Sequence, residues 1–369
     1  MKKLFYFLIV LSLISCASGG AGTVPYDPSA RALFAGDNIS ELRSFLLLKA
    51  DFHVHTVYSV GSIQPTARLD EAHREGLDVI SITDHVEGYP RGSYASSSRN
   101  TPYNLALGSE RADDIIVIRG SGIARPMPPG HFNAIFLTDS DELDKPDYIS
   151  AIGAAKNQNA FIFWNHPGLE QPETLWWPEH SQLFDQGMMH GIEIANGDIY
   201  FPEAHQWALE KNLTMIGGSG ANAALRPASG SHRTMTLVFA RDRTPEAIYE
   251  ALMEKRTAVY MNHFVIGNEL YLREIVERSF EISVAGTTDI VEITIKNNSD
   301  FIFHLKKDDH DPRMTYFRNV NIVPYTIRPN ATNTIEVRLN GNIRGGDVNF
   351  IIENFLVGPN IPMKYTIRI

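Results

Sequence analysis

With 369 residues, 43% of them hydrophobic and 21% charged, the chain is long enough for two or three domains and apolar enough for a packed core. A formal charge of −10, with no Lys/Arg cluster beyond the first residues, argues against the basic face that a nucleic-acid partner requires. Cys16 is the only cysteine, so no disulfide forms within one chain.

In chain order, Lys2 and Lys3 lead into an apolar run from Leu4 to Ile14 that is too short to span a bilayer, the pattern of a secretory signal. Its end, Leu13-Ile14-Ser15-Cys16-Ala17, resembles the lipobox of bacterial lipoproteins. That resemblance implies a signal peptide over 1–15, acylation of Cys16, and a lipid-anchored protein of the cell envelope. Several acyl chains anchor stably, at about 0.8 kcal/mol per buried methylene. Residues 16–45 then read as a tether and lead-in, flexible where Ala17 to Gly22 alternate small residues.

Over 46–268, short apolar runs alternate with helical patterns. The predicted strands are Lys49–His53, Val79–Thr83, Ile115–Arg119, Phe132–Leu137, Phe161–Trp164, Gly191–Ile194, Thr214–Gly217 and Thr234–Phe239. Helices are expected over Pro65–Glu75, Pro146–Asn157, Pro202–Lys211 and Pro245–Lys255, each opening on a proline whose missing N–H costs nothing in the first turn. This alternation predicts an α/β fold with a parallel sheet closed into a barrel. The Gly/Ser/Tyr/Asn-rich stretch Glu87–Ser109 reads as a long loop at the barrel mouth. A linking helix at 269–278 precedes a change of pattern. Residues 279–369 alternate apolar and polar positions between turn signals such as Asn297-Asn298-Ser299 and Asn340-Gly341, which predicts a small immunoglobulin-like β-sandwich.

The chemistry concentrates in histidines. In Asp51-x-His53-x-His55 the period of a strand points both imidazoles the same way, toward one ion. His85 and His166 also follow predicted strands, where barrel enzymes place their functional groups. Together with Ile82-Thr83-Asp84-His85, Gly130-His131-Phe132-Asn133, Asn165-His166-Pro167-Gly168 and Gly218-Ser219-Gly220-Ala221-Asn222, these motifs resemble those of the PHP family, the polymerase and histidinol phosphatase superfamily of metal-dependent phosphoesterases. The resemblance implies a distorted (β/α)7 barrel, a site holding two or three divalent ions (zinc, manganese or iron), and metal ligands at His53, His55, His85, His131 and His166. The terminal sandwich lies outside the family's core.

Four positions depart from the family pattern. Val60 stands for an Asp, Gly122 for the Glu that bridges two metals, Gly220 for an Asp and Asn222 for a His. A cluster packs four to six positive charges into a few ångströms, and five neutral imidazoles do not offset them. The expectation is therefore a lipid-anchored PHP-like protein with hydrolysis lost or strongly impaired, acting as a binding or scaffold module for a small anionic or phosphorylated ligand. The competing readings are an active metallo-phosphoesterase on a reduced or rebuilt site, and a structural envelope protein. Glu87 and Glu193 are the carboxylates nearest in sequence for a rebuilt site; Asp51 and Asp84 suit orientation of a histidine instead. Arg119, Arg125, Arg226 and Arg233 are candidate phosphate clamps. Trp164, Trp176 and Trp177 read as packing under the barrel, and the remaining histidines as surface or hydrogen-bonded core groups.

Overall fold

The computed structural model describes residues 44–87, 98–169, 174–226, 232–286, 290–317, 324–340 and 346–369. The signal region, Cys16 and Gly341 lie outside the described residues.

The first domain begins with β1 (Leu46–Val54), α1 (Pro65–Arg74), β2 (Val79–Ile82), α2 (Thr101–Leu107), β3 (Ile116–Ile123) and β4 (Phe132–Ile135). It continues through α3 (Tyr148–Asn157), β5 (Phe161–Trp164), α4 (Pro178–Asp185), β6 (Gly191–Asn196), β7 (Ile199–Tyr200), α5 (Pro202–Lys211) and β8 (Thr214–Gly218). Next come β9 (Met235–Ala240), α6 (Pro245–Met253), β10 (Thr257–Met261), β11 (Phe264–Gly267) and α7 (Glu269–Ser279). Prolines open α1, α4, α5 and α6. α3 starts two residues after Pro146 because the Asp147 carboxylate caps it, accepting from the Ser150 N–H at 2.8 Å. The stretch expected to be a long loop contains α2, which Pro102 opens inside its first turn.

The expected parallel sheet is in fact mixed. β1, β2 and β3 run parallel, as do β5, β6 and β8, but β4 is antiparallel to both β3 and β5. On the other side β1, β9, β10 and β11 are antiparallel in succession. The reason is connection length. No helix separates β3 from β4, and β10 turns into β11 through Asn262 and His263, both at positive φ (46° and 66°), so the chain folds straight back. At the closing seam, among the described residues, β8 has a ladder only to β6. Its other edge is held by threonine hydroxyls: Thr236 Oγ1 accepts from the Gly217 N–H at 3.0 Å, and Thr257 Oγ1 donates to Met215 O at 2.9 Å.

The second domain comprises β12 (Phe280–Gly286), β13 (Ile290–Asn297), β14 (Phe303–Lys307), β15 (Met314–Phe317), β16 (Tyr325–Ile327), β17 (Thr332–Leu339), β18 (Asp347–Gly358) and β19 (Ile361–Arg368). One sheet has the order β12-β13-β17-β15; the other pairs β16, β14, β18 and β19. Burial alternates strictly along β13 and through most of β17, as in a sandwich.

The second sheet does not stop at the domain boundary. β18 pairs in parallel with β11, Val265 opposite Phe355 and Ile266 opposite Leu356, so barrel and sandwich share one continuous sheet. A single apolar cluster runs from Leu47 and Phe239 to Phe303 and Phe355. Buried Asn354 stitches the seam: its amide donates to His263 O and to Ile302 O, both at 2.7 Å, and its oxygen accepts from the His304 N–H. Leaving such an amide unpaired costs about 1–3 kcal/mol.

Candidate metal centre

β1 is buried from Ala50 to Val54, which places His53 on the inner face; His55 lies one residue past the strand end. His85 follows β2 and His166 follows β5, the latter with φ at 33°. His131 precedes β4 rather than following it. Because β4 is antiparallel, its first residue lies on the same rim as the ends of β3 and β5. The five rings touch in a closed circuit. Centroids lie 5.1 Å apart for His53–His55, 4.7 Å for His55–His85, 5.3 Å for His85–His131, 5.2 Å for His131–His166 and 5.6 Å for His166–His53.

Carboxylates stand behind this circuit. Glu193, fully buried on β6, accepts from His53 Nδ1 at 2.8 Å and from the His166 N–H at 2.7 Å, and Asn196 Nδ2 donates to both its oxygens at 3.1 Å. Asp51 accepts from Ser219 Oγ at 2.6 Å, the His53 N–H at 3.2 Å and Arg233 Nη1 at 3.0 Å. Asp84 accepts from the Thr56 N–H at 2.7 Å, Ser59 Oγ at 2.5 Å and the Thr56 hydroxyl. Buried Arg68 on α1 donates to His55 O at 2.9 Å and Ala221 O at 2.8 Å, tying the first motif to the last. Arg68 and Asn196 were not expected. The signal for Arg68 was an arginine beside Leu69 and Ala72, all buried on α1.

The electrostatics follow from burial. Desolvation pushes the His53 imidazole down, but the Glu193 carboxylate with its hydrogen bond, aided by Asp51, overrides this and leaves its pKa raised. His55 is held well below the usual range by burial first, then by His53, His85, His166 and Arg68. Burial, reinforced by neighbouring imidazoles, takes His85 and His166 down to about 3, against an opposing pull from Glu193 on His166. For Asp84, burial outweighs the hydrogen bonds of Ser59 and Thr56 and raises the carboxyl.

Of the four departing positions, Gly122 borders the circuit and Gly220 lies against Asn196. A Cβ built on Gly122 falls 2.7 Å from His85 Cδ2, 2.8 Å from Thr83 O and 3.2 Å from Asn133 Oδ1. One on Gly220, whose φ is +58°, falls 2.5 Å from Asn196 Oδ1. Val60 is half exposed and Asn222 exposed, with the Asn222 carbonyl accepting from the Ser62 N–H at 2.8 Å.

The other sequence candidates separate. Glu193 reaches the histidines, as an orienting group. Glu87 turns away to the Ala124 N–H and to Arg125, which also donates to Lys145 O at 2.7 Å. Arg233 is buried between Asp51 and Glu75. Arg119 lies over the Tyr103 ring at 4.5 Å and donates to Asn100 and Thr138 O; Arg226 is exposed beyond β8. Trp164 is buried, stacked 3.7 Å from His180 and 5.7 Å from Trp207, with Trp176 edge-on. His205 accepts or donates to the Tyr200 hydroxyl at 2.8 Å, and His232 stacks on Tyr260 at 3.7 Å.

His53 Nε2 and His55 Nε2 lie 3.1 Å apart, close to the separation of two nitrogens bound at about 2.0–2.1 Å to one ion. Glu193 accepts from His53 Nδ1, the carboxylate–histidine arrangement of metal sites, and this turns His53 Nε2 toward His55 Nε2. His55 Nδ1 is buried with no hydrogen-bond partner. Among the described residues, no three or more His, Cys, Asp or Glu side chains converge as a ready metal site. His53 and His55 offer two imidazole nitrogens to an ion, and among the described residues the lining does not assemble the three or more ligands of a fuller site.

Residues 278–368 match the Ig-like domain family. The fold is that of a two-domain protein from Bacteroides vulgatus containing a predicted PHP-like metal-dependent phosphoesterase. The two are 44% identical, with a TM-score of 0.84 over 90% of this chain and 98% of that one. An error-prone DNA polymerase from Nocardia farcinica is 32% identical over 81 residues, which are 21% of this chain and 6% of the polymerase. The chain thus covers a small fraction of that curated relative. Fold, histidine circuit and near-complete overlap agree: the chain belongs to the family of two-domain proteins that join a PHP-like metal-dependent phosphoesterase domain to a C-terminal Ig-like domain.

Proposed function

We propose that this protein has given up the two-metal phosphoester hydrolysis of its family and acts as a lipid-anchored binding or scaffold module of the cell envelope. The observation that carries the reading is the lining of the histidine circuit. Each carboxylate behind it is committed to hydrogen bonds within the fold, and the space for a side chain at 122 is taken by the His85 ring and Thr83 O. Divalent ions, when a site of this family holds them, supply an activated water and charge neutralisation at the phosphoryl oxygens. Among the described residues, no three or more His, Cys, Asp or Glu side chains converge where such ions would be balanced. Anchoring rests on the Leu13–Ala17 pattern around Cys16. The ligand class rests on the family's phosphate chemistry and on the imidazole lining.

The test is turnover of a bis-aryl phosphate by the full chain with zinc or manganese, beside His55→Ala. Equal, background rates are expected, with a small phosphorylated ligand raising the melting temperature; saturation at a hundred times Kd stabilises by about 2.7 kcal/mol. Metal-dependent turnover that His55→Ala abolishes would overturn the proposal. It would favour the second reading, a one-ion phosphoesterase, for which the 3.1 Å spacing of His53 and His55 speaks.

A further inference from the structure

We propose that His232 is a proton-operated latch between the two domains. Neutral, it holds the β10–β11 turn; protonated, it lets go of that turn and loosens the sheet where β11 meets β18. The latch does not depend on what the histidine circuit binds.

The bonds of the ring fix its state. His232 Nδ1 lies 2.8 Å from Arg233 O, and a carbonyl only accepts, so Nδ1 carries a proton. The His263 backbone N–H, which only donates, meets His232 Nε2 at 3.3 Å, so Nε2 is the acceptor. The two bonds coexist only on the neutral ring, because an imidazolium has a proton on each nitrogen. Tyr260 pins the ring from one face, with 3.7 Å between centroids and 13° between planes, and the His263 ring stands 5.4 Å away.

What Nε2 holds is the joint between the domains. The His263 carbonyl, in the turn with Asn262, accepts from Asn354 Nδ2 of β18 at 2.7 Å. Two residues further on, Val265 and Ile266 pair with Phe355 and Leu356. Tyr260, against the His232 ring, meets Phe301 of the sandwich edge-on at 5.1 Å. A proton on Nε2 sets donor against donor at the residue whose carbonyl carries the seam.

The surroundings resist the charged form. Burial, against the pull of Arg233 O, and then His263 and Lys49 of β1 bring the His232 imidazole down to about 4. The neighbouring Arg233 guanidinium is committed to Asp51 and Glu75. Beyond His263 stand His304 on β14 and Glu353 on β18, and Asp300 bears on Tyr260. Because the folded value lies below the ordinary 6.5, the latch is fully made above 6.5 and is lost as pH falls toward about 4.

The test is hydrogen exchange of the full chain at about pH 7 and about pH 4.5, corrected for the intrinsic pH dependence of exchange. It is run beside His232→Gln, which keeps an acceptor and does not titrate. Segments spanning β11 and the C-terminal half of β18 are read against β13, whose sheet carries no histidine in its described strands. Acidification should lower seam protection in the unaltered chain by on the order of tenfold more than in His232→Gln, where only the other buried histidines respond. An equal fall in the two proteins overturns the inference. Should His232→Gln not fold, nitrogen NMR of the unaltered chain decides. An Nδ1-protonated neutral ring whose conversion to imidazolium coincides with loss of protection at the seam upholds the latch. An Nε2-protonated ring or an imidazolium at about pH 7, or conversion with the seam still protected, overturns it.

Discussion

The two walls of the pocket are built differently. On the β1–β6 wall every functional group is buttressed: His53 by Glu193, Glu193 by Asn196, and Asp51 by Ser219 and Arg233. On the wall formed by β3 and the loop after β8, the matching positions are Gly122, Gly220 and Asn222; backbone or neighbouring side chains occupy the space beside the two glycines, and Asn222 is exposed. The contrast teaches that the supporting layer and the ligand layer are energetically separate. Asp51, Glu193 and Arg233 are buried polar groups that satisfy one another, so they hold the strand ends in place whether or not an ion is present.

The largest effect should come from breaking the buttressed wall. Arg233→Met leaves Asp51 and Glu75 without their cation, both paired with it at 3.0 Å or less, and should cost about 3–5 kcal/mol in denaturant unfolding. A loss below about 1 kcal/mol, the range of exposed pairs, would show that the network does not hold the wall. The opposite wall should resist refilling. Gly122→Glu forces atoms against His85 and Thr83 and should destabilise by roughly 1–3 kcal/mol, at the upper end because it also buries a carboxyl, without raising metal content. A neutral, metal-gaining Gly122→Glu would mean the wall is vacant rather than repacked.

A smaller effect concerns acid. His85 has a pKa of about 3 in the fold against an ordinary 6.5, so on acidification the unfolded chain takes up the proton first. Its stabilising share is complete above 6.5 and disappears as pH falls toward 3; His166 behaves alike, and the raised His53 runs the other way. Between about pH 7 and 5, metal-stripped protein should lose roughly 2 kcal/mol more than His85→Asn. Identical losses would mean that His85 is not buried neutral. Least of all, Val60→Asp at a half-exposed site should change stability by less than about 0.5 kcal/mol, measured in the same denaturant series.

Much of the barrel was legible because its strands are short apolar runs and its helices begin at prolines. Phe161–Trp164 and Pro202–Lys211 have the expected bounds, while the predicted Ile115–Arg119 strand begins one residue later and continues to Ile123, where β4 folds back against it. The β10–β11 hairpin, whose turn Asn262 and His263 mark at positive φ, is not among the strands expected from the sequence. In the site, the histidines were visible through their motifs and the missing carboxylates through the same comparison. The orienting role of Glu193 had only a faint local sign, an acid inside the fully buried run from Gly191 to Ala195.

By itself the sequence determined the element types, the alternation that makes a sandwich of the last ninety or so residues, and which chemical groups the pocket has to work with, since these depend on local period and residue identity. Only the tertiary structure decided that β18 joins the barrel's sheet through β11, that Arg233 serves Asp51 and Glu75 rather than a phosphate, and that the His85 ring fills the space beside Gly122. Each of these joins residues far apart in the chain. Pairing register, ion-pair choice and the filling of a void are settled by packing all the elements at once, and no local pattern encodes them.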